Sequence, residues 1–196
     1  MEPVVLTQTS QVLDYMDNNM QEVHFKGVSQ RFLPRSHLDI VTTKDVMHVV
    51  IKEAKGFYLG QQTREDLVEK LHRNGRKMFA TCVYGTLSLT SLVALLEDGL
   101  SDERFPFKPE DCPGQCSKRE FRQLFLENQK FFHTAYFGKS SEQNLDGGIT
   151  IPIDHDEGDK ALLGEGAFGR VFEIGIHEDQ RSFSSVRQLL FCLEWY

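Results

Sequence analysis

The sequence has few cysteines, no long apolar run and no surplus of positive charge. Cys82, Cys112, Cys116 and Cys192 are its only cysteines in 196 residues. That is too sparse for a disulfide scaffold, so reduced thiols are expected. Lys and Arg total 22 against 29 Asp and Glu, a formal net charge of −7. A duplex-binding protein neutralises phosphate with a basic excess, so nucleic acid is not an expected partner. The longest apolar stretches, such as Leu92 to Leu96, fall far short of the ~18 residues that would span a bilayer. The start, Met1-Glu2-Pro3-Val4-Val5, has no basic region followed by an apolar one, so no secretory leader is expected. No Asn-x-Ser/Thr acceptor occurs. The expected setting is intracellular, cytoplasmic or nuclear, and away from membranes.

What is present is an ordinary globular composition. Hydrophobic residues make up 40% and charged residues 26%, which argues against a wholly disordered chain. Phe outnumbers Tyr 15 to 5, which predicts a core rich in large apolar rings. Residues 1–138 read as a helical domain. Val12, Leu13, Met16, Met20 and Val23 recur at helical steps. Pro34 breaks the chain, and Ser36 is placed to cap a helix beginning there. Thr43 precedes Val46, Met47, Val50 and Ile51, a helical stripe whose β-branched content leaves a strand as the alternative. Thr63-Arg64-Glu65-Asp66 comes close to a capping box and leads into Leu67, Val68 and Leu71. Gly75 interrupts, followed by Met78, Phe79, Cys82 and Val83. Leu89, Leu92, Val93 and Leu96 form the next stripe, with Gly99 as a C-terminal cap. A proline-bearing loop runs from Ser101 to Gln115. Ser117-Lys118-Arg119-Glu120 is then a full capping box, and Phe121, Leu124, Phe125, Phe131 and Phe132 form the apolar face behind it.

The character changes after Gly138. Residues 139–160 carry glycines, an acidic cluster and no helical period, and read as a linker. Residues 161–196 open on Leu163-Gly164-Glu165-Gly166-Ala167-Phe168-Gly169-Arg170-Val171. The Gly-x-Gly-x-x-Gly spacing serves two unrelated nucleotide sites, and the residues after it separate them. A Rossmann loop opens a helix. Here Arg170 to Ile176 is rich in Val, Ile and Phe, so a strand is expected. Strand, glycine loop and strand form the phosphate flap of protein kinases. Glycines let backbone amides approach phosphate oxygens without an intervening Cβ. Phe168 at the tip would cover the site, and Val171 would lie under the loop on the adenine ring.

Leu163 to Val171 matches the protein-kinase signature at every fixed position. The wider chain resembles a group of filamentous-fungal protein kinases in which a helical region precedes the kinase domain. The stretches that carry this resemblance are Arg31–Ser36, Asn74–Ala80, Leu95–Asp102, Ile149–Ile153 and Phe172–His177. The resemblance implies a mainly α fold in three parts: the helical domain, the linker, and a β-hairpin or three-strand fragment of a kinase N-lobe. It implies ATP with magnesium as cofactor, Ser/Thr phosphorylation in the intact family, and a protein partner or protein substrate. The nucleotide residues would be Leu163, Gly164, Glu165, Gly166, Ala167, Phe168, Gly169 and Val171.

A working kinase also needs a strand-three lysine, a glutamate pairing it, a catalytic aspartate and a metal-binding aspartate. No lysine follows Lys160, and no His-Arg-Asp or Asp-Phe-Gly follows the loop. Phe191-Cys192-Leu193-Glu194 resembles the strand that ends in the lysine, with Glu194 in the lysine's place. A carboxylate there repels the phosphates that a lysine would hold. The expectation is therefore a kinase cut short after its glycine loop, inactive in phosphoryl transfer. The alternative is a non-catalytic helical interaction module with a vestigial hairpin. His72-Arg73-Asn74 reads as a solvated helix end.

Other constellations are weaker. Cys112 and Cys116 have loose zinc spacing but no second pair, and read as loop cysteines. Asp154, Asp156, Gly158, Asp159 and Glu165 resemble a calcium loop, but Asp159 stands where that loop needs glycine. A solvated acidic linker is the better reading. Cys82 reads as core. Lys52, Lys55, Arg73, Arg76 and Lys77 alternate with acids and read as a solvated face.

Overall fold

The computed structural model describes residues 4–25, 28–54, 61–111, 119–138, 149–152, 162–166, 169–182 and 187–192. Seven α-helices lie among them, with a two-stranded and a three-stranded antiparallel sheet. The mainly helical expectation holds for the first 138 residues, with one exception near the N-terminus.

Helix α1, Thr9–Asn19, buries Val12 and Met16, one helical turn apart. The stripe does not continue through Met20 and Val23. Met20 is extended, and β1, Gln21–Phe25, pairs with β2, Val28–Phe32. The register sets Gln21 opposite Phe32 and Val23 opposite Gln30. The steps from Met16 to Met20 and Val23 fit a helix, but Val23 and Phe25 also alternate at strand period, and pairing with β2 decides the outcome.

Phe32 and Leu33 are both buried, and Pro34 introduces α2, Arg35–Val41. Ser36 does not cap it. The N-cap position is Pro34, and the Ser36 hydroxyl donates to the Asp179 carboxylate instead. Helix α3, Lys44–Glu53, forms as expected, without the strand alternative. The Thr43 hydroxyl accepts the Val46 amide, and Val46, Met47, Val50 and Ile51 are all buried. Helix α4, Gln61–Asn74, begins two residues before the expected start at Thr63.

Gly75 separates α4 from α5, Arg76–Tyr84. A Cβ at this glycine would lie 3.3 Å from the side chains of both Leu71 and Leu96, tighter than most real contacts. Helix α5 is the centre of the core. All six residues from Met78 to Val83 are buried, and α1, α2, α4, α6 and α7 pack around it. The apolar area removed from water there stabilises the fold at roughly 25 cal/mol per Å².

Helix α6, Leu89–Glu97, ends as the sequence predicts. Gly99 takes φ +78°, its amide bonds the Leu96 carbonyl, and the Leu100 amide bonds the Leu95 carbonyl. That 6→1 and 5→2 pair requires a left-handed residue at Gly99. The next stretch, expected as loop, includes 3-10 turns at Asp102–Arg104 and Pro109–Asp111. Helix α7, Arg119–Asn128, buries Phe121 and Phe125. Their rings stack at 5.7 Å, and Phe105 and Phe107 join the same cluster. Ser117, the expected cap, lies outside the described residues.

Strands β3, Leu162–Gly166, β4, Gly169–Gly175, and β5, Arg187–Cys192, form the second sheet in that order. The chain leaving β4 docks on the helical region. Ile176 is fully buried, and the His177 ring meets Phe32 edge-on at 5.7 Å. The Phe137 amide bonds the Gln180 carbonyl at 2.8 Å, and the Ser182 amide bonds the Phe137 carbonyl at 3.0 Å. Part of the expected linker is ordered in the same way. Thr150 is buried, bridges Thr134 in parallel and donates its hydroxyl to the Lys130 carbonyl. The His177 amide then bonds the Pro152 carbonyl.

Candidate functional site

The glycine-rich segment forms two antiparallel strands, as the residues after it predict. Gly166 pairs with Gly169, Glu165 with Arg170, and Gly164 with Val171. The register shifts between Leu162 and Gly164, leaving Leu163 as an extra residue on β3. Leu163 is 55% exposed. Ala167 and Phe168, between the paired glycines, lie outside the described residues. Strand β5 lies along the other edge of β4 and sets Phe191 opposite Val171 and Cys192 opposite Arg170.

Gly164 is unconstrained by its surroundings. Among the described residues, a Cβ built there would meet no atom within 4 Å, and its φ is not left-handed. Neither packing nor backbone conformation therefore asks for glycine at this position. This contrasts with Gly75, where packing does, and with Gly99, where the dihedral does.

Glu194, expected in the place of the lysine, lies outside the described residues, as do Cys112 and Cys116. The acidic cluster from Asp154 to Asp159 lies outside them too. Cys82 is fully buried on α5, in keeping with a core role. Arg73 and Asn74 are exposed at the end of α4, as expected of a solvated helix terminus. Among the described residues, no group of three or more His, Cys, Asp or Glu is placed to hold a metal ion. No helix among them is long and apolar enough to cross a membrane.

The solvated basic face holds only in part. Lys52 and Arg73 are exposed, and Lys55 lies outside the described residues. Arg76 and Lys77 are half-buried. The break at Gly75 turns the first turn of α5 into the protein, where Asp102 meets it. The Asp102 carboxylate accepts the Lys77 amide at 2.8 Å and the Met78 amide at 3.1 Å. Sequence reasoning missed this cap because it lies about 25 residues from the helix it serves. Burial pushes the Asp102 carboxyl up from its ordinary value, and the two amides pull it down.

Three of the stretches singled out by resemblance converge here. Arg35 comes from the first, Arg76 and Lys77 from the second and Asp102 from the third. Arg35, Arg76 and Lys77 line one cavity, with Asp102 behind them. No protein-family model, curated protein or solved structure matches the chain.

Proposed function

We propose that this chain carries the helical region and glycine flap of a protein-kinase-like polypeptide. Residues Leu163 to Val171 contact the phosphates of ATP, and these 196 residues do not transfer phosphate themselves. The observation that carries the reading is the open space around Gly164 on a strand–loop–strand. The position keeps a glycine that the fold does not require, in the segment where the signature brings phosphate to the backbone. The β3–β4–β5 order, antiparallel throughout, supports the same reading, because a kinase flap is followed by a third strand beside the second. Magnesium would arrive on the nucleotide's phosphates, with the backbone amides of the flap supplying the protein's share of the contacts. Glu194, in the place likened to the lysine, would not align those phosphates, so binding by these residues without turnover is the expected behaviour.

The test is calorimetric titration of Mg-ATP into the whole chain beside Gly166→Val, with a phosphorylation assay on the same preparation. Saturable binding that the variant loses, with no phosphate transfer, agrees with the proposal. Turnover overturns the inactive part. A folded chain that binds no ATP at ~10 mM, a free energy weaker than about −3 kcal/mol, overturns the nucleotide part. The helical interaction module is then the better reading.

A further inference from the structure

The cavity between α2, α5 and the segment after β4 has a volume of about 290 Å³. Its wall carries three cationic side chains, Arg35, Arg76 and Lys77, and one carboxylate, Asp39. Asp39 is already engaged by Arg76, which also donates from Nε to the Thr42 hydroxyl at 2.8 Å. Arg35 lies over the ring of Tyr136, with its guanidinium carbon 4.5 Å from the ring centroid. The Lys77 ammonium sits 5.9 Å from the Phe105 ring centroid. Among the described residues, neither Arg35 nor Lys77 makes an ion pair. The nearby Asp102 carboxylate is committed to two backbone amides of α5.

We propose that this cavity is a binding site for a phosphomonoester dianion. Two cationic side chains that make no ion pair among the described residues, Arg35 and Lys77, line one concave space in a chain whose net charge is −7. A carboxylate would neutralise one of them. A phosphomonoester carries roughly −1.5 to −2 near pH 7 and presents three acceptor oxygens, so it matches both. The guanidinium of Arg35 is held by stacking, which leaves its donors preorganised for an oxyanion. Gln180, from the docked segment, also lines the cavity. Burial lowers the Lys77 pKa, the Asp102 carboxylate opposes this and Arg35 reinforces it. A dianion in the cavity relieves that penalty. The site spans the contact between the helical region and the chain leaving β4, and it does not depend on the nucleotide reading of the glycine loop.

The dianion could belong to a phosphorylated side chain or to free phosphate, and titration of the whole chain separates the two. The probes are a short phosphoserine peptide, its unphosphorylated twin and inorganic phosphate, followed by calorimetry and by amide shifts at Thr134 and Gln180. The expected result is saturation by a phosphate-bearing probe, with no response to the unphosphorylated peptide. Arg35→Gln and Lys77→Met should each weaken binding about tenfold or more, the scale of one charge-assisted contact. Gly166→Val should leave it intact. Arg35 is exposed, so its variant carries the test if Lys77→Met does not fold. Tighter binding of the peptide assigns the site to a phosphorylated side chain, and equal affinity for inorganic phosphate assigns it to free phosphate. Saturation by neither probe below about 20 mM, or unchanged affinity in Arg35→Gln, overturns the proposal.

Discussion

The Ser36 hydroxyl donates a hydrogen bond to the Asp179 carboxylate across 143 positions of chain. It ties the first turn of α2 to the 3-10 turn Glu178–Gln180, and so ties the helical region to the chain that has just left β4. The Phe137–Gln180 and Ser182–Phe137 backbone bonds lie beside it. One side-chain contact and two backbone bonds thus act as a single clasp, with Ile176 buried beneath.

Asp179→Ala should open that clasp locally rather than unfold the protein. A hydrogen bond to a charged acceptor contributes about 1.5–3 kcal/mol, less where solvent reaches it, as at exposed Ser36. The expected outcome is faster hydrogen exchange at the Phe137 and Ser182 amides, with the α5 amides unchanged. Unchanged protection at Phe137 and Ser182 would show that the backbone bonds and the burial of Ile176 hold the segment without the Ser36–Asp179 contact.

Gln129 is buried and holds both backbone groups of Phe107. Its carbonyl oxygen accepts the Phe107 amide and its amide donates to the Phe107 carbonyl, both at 2.8 Å. Gln129→Leu keeps comparable volume but leaves two buried backbone groups unpaired, at about 1–3 kcal/mol each. Urea denaturation should show a loss of about 2–5 kcal/mol, with near-ultraviolet signals of the Phe105–Phe107–Phe125 cluster altered. Ionised, Gln129→Glu keeps the acceptor and loses the donor; protonated, its O–H restores a donor to the Phe107 carbonyl, so its cost should fall below that of leucine as pH is lowered.

Much of the helical core could be read in advance, and the reasons are local. Val46, Met47, Val50 and Ile51 follow a capping threonine within one segment, and Gly99 fills a position whose dihedral demands it. The glycine-loop hairpin was legible because strand residues come directly after Gly169. What escaped was set by partners far along the chain. Val23 joins a strand because β2 pairs with it, Ser36 serves Asp179 rather than its own helix, and Asp102 caps α5. The cationic cavity escaped for the same reason. Arg76 and Lys77 look solvated in a sequence of mixed charge, and only the turn at Gly75 brings them against Arg35.

His37 makes stability depend on pH in a defined direction. Its Nδ1 lies 2.8 Å from the Tyr15 hydroxyl. Burial lowers the imidazole pKa, the Asp179 carboxylate opposes this, and His177 reinforces it. Burial also raises the Tyr15 pKa. A base with a lowered native pKa leaves stability intact above the unfolded value of about 6.5. As pH falls below that, the unfolded chain takes up the proton first and stability declines until the native value is passed. Melting temperature measured between about pH 8 and pH 5 should therefore fall toward acid, and His37→Gln should flatten part of that slope. An equal slope in the variant would assign the acid sensitivity to other groups.

Gly164→Ala separates the needs of the fold from those of a ligand. Open space surrounds the position, and its backbone is not left-handed, so alanine should change stability by no more than about 0.5 kcal/mol. Gly99→Ala is the matched contrast: it has equal room but a φ of +78°, and should cost about 1 kcal/mol or more. If the flap brings backbone amides against ATP phosphates, a methyl group at 164 stands where the ligand must approach. Gly164→Ala should then weaken Mg-ATP binding at least about tenfold while melting like the parent, whereas Gly99→Ala should melt earlier and bind ATP as before. The opposite pairing, with ATP affinity kept at 164, would remove the reason for a glycine there and with it the nucleotide reading. Because each variant changes one property and spares the other, a general loss of folding cannot imitate the expected result.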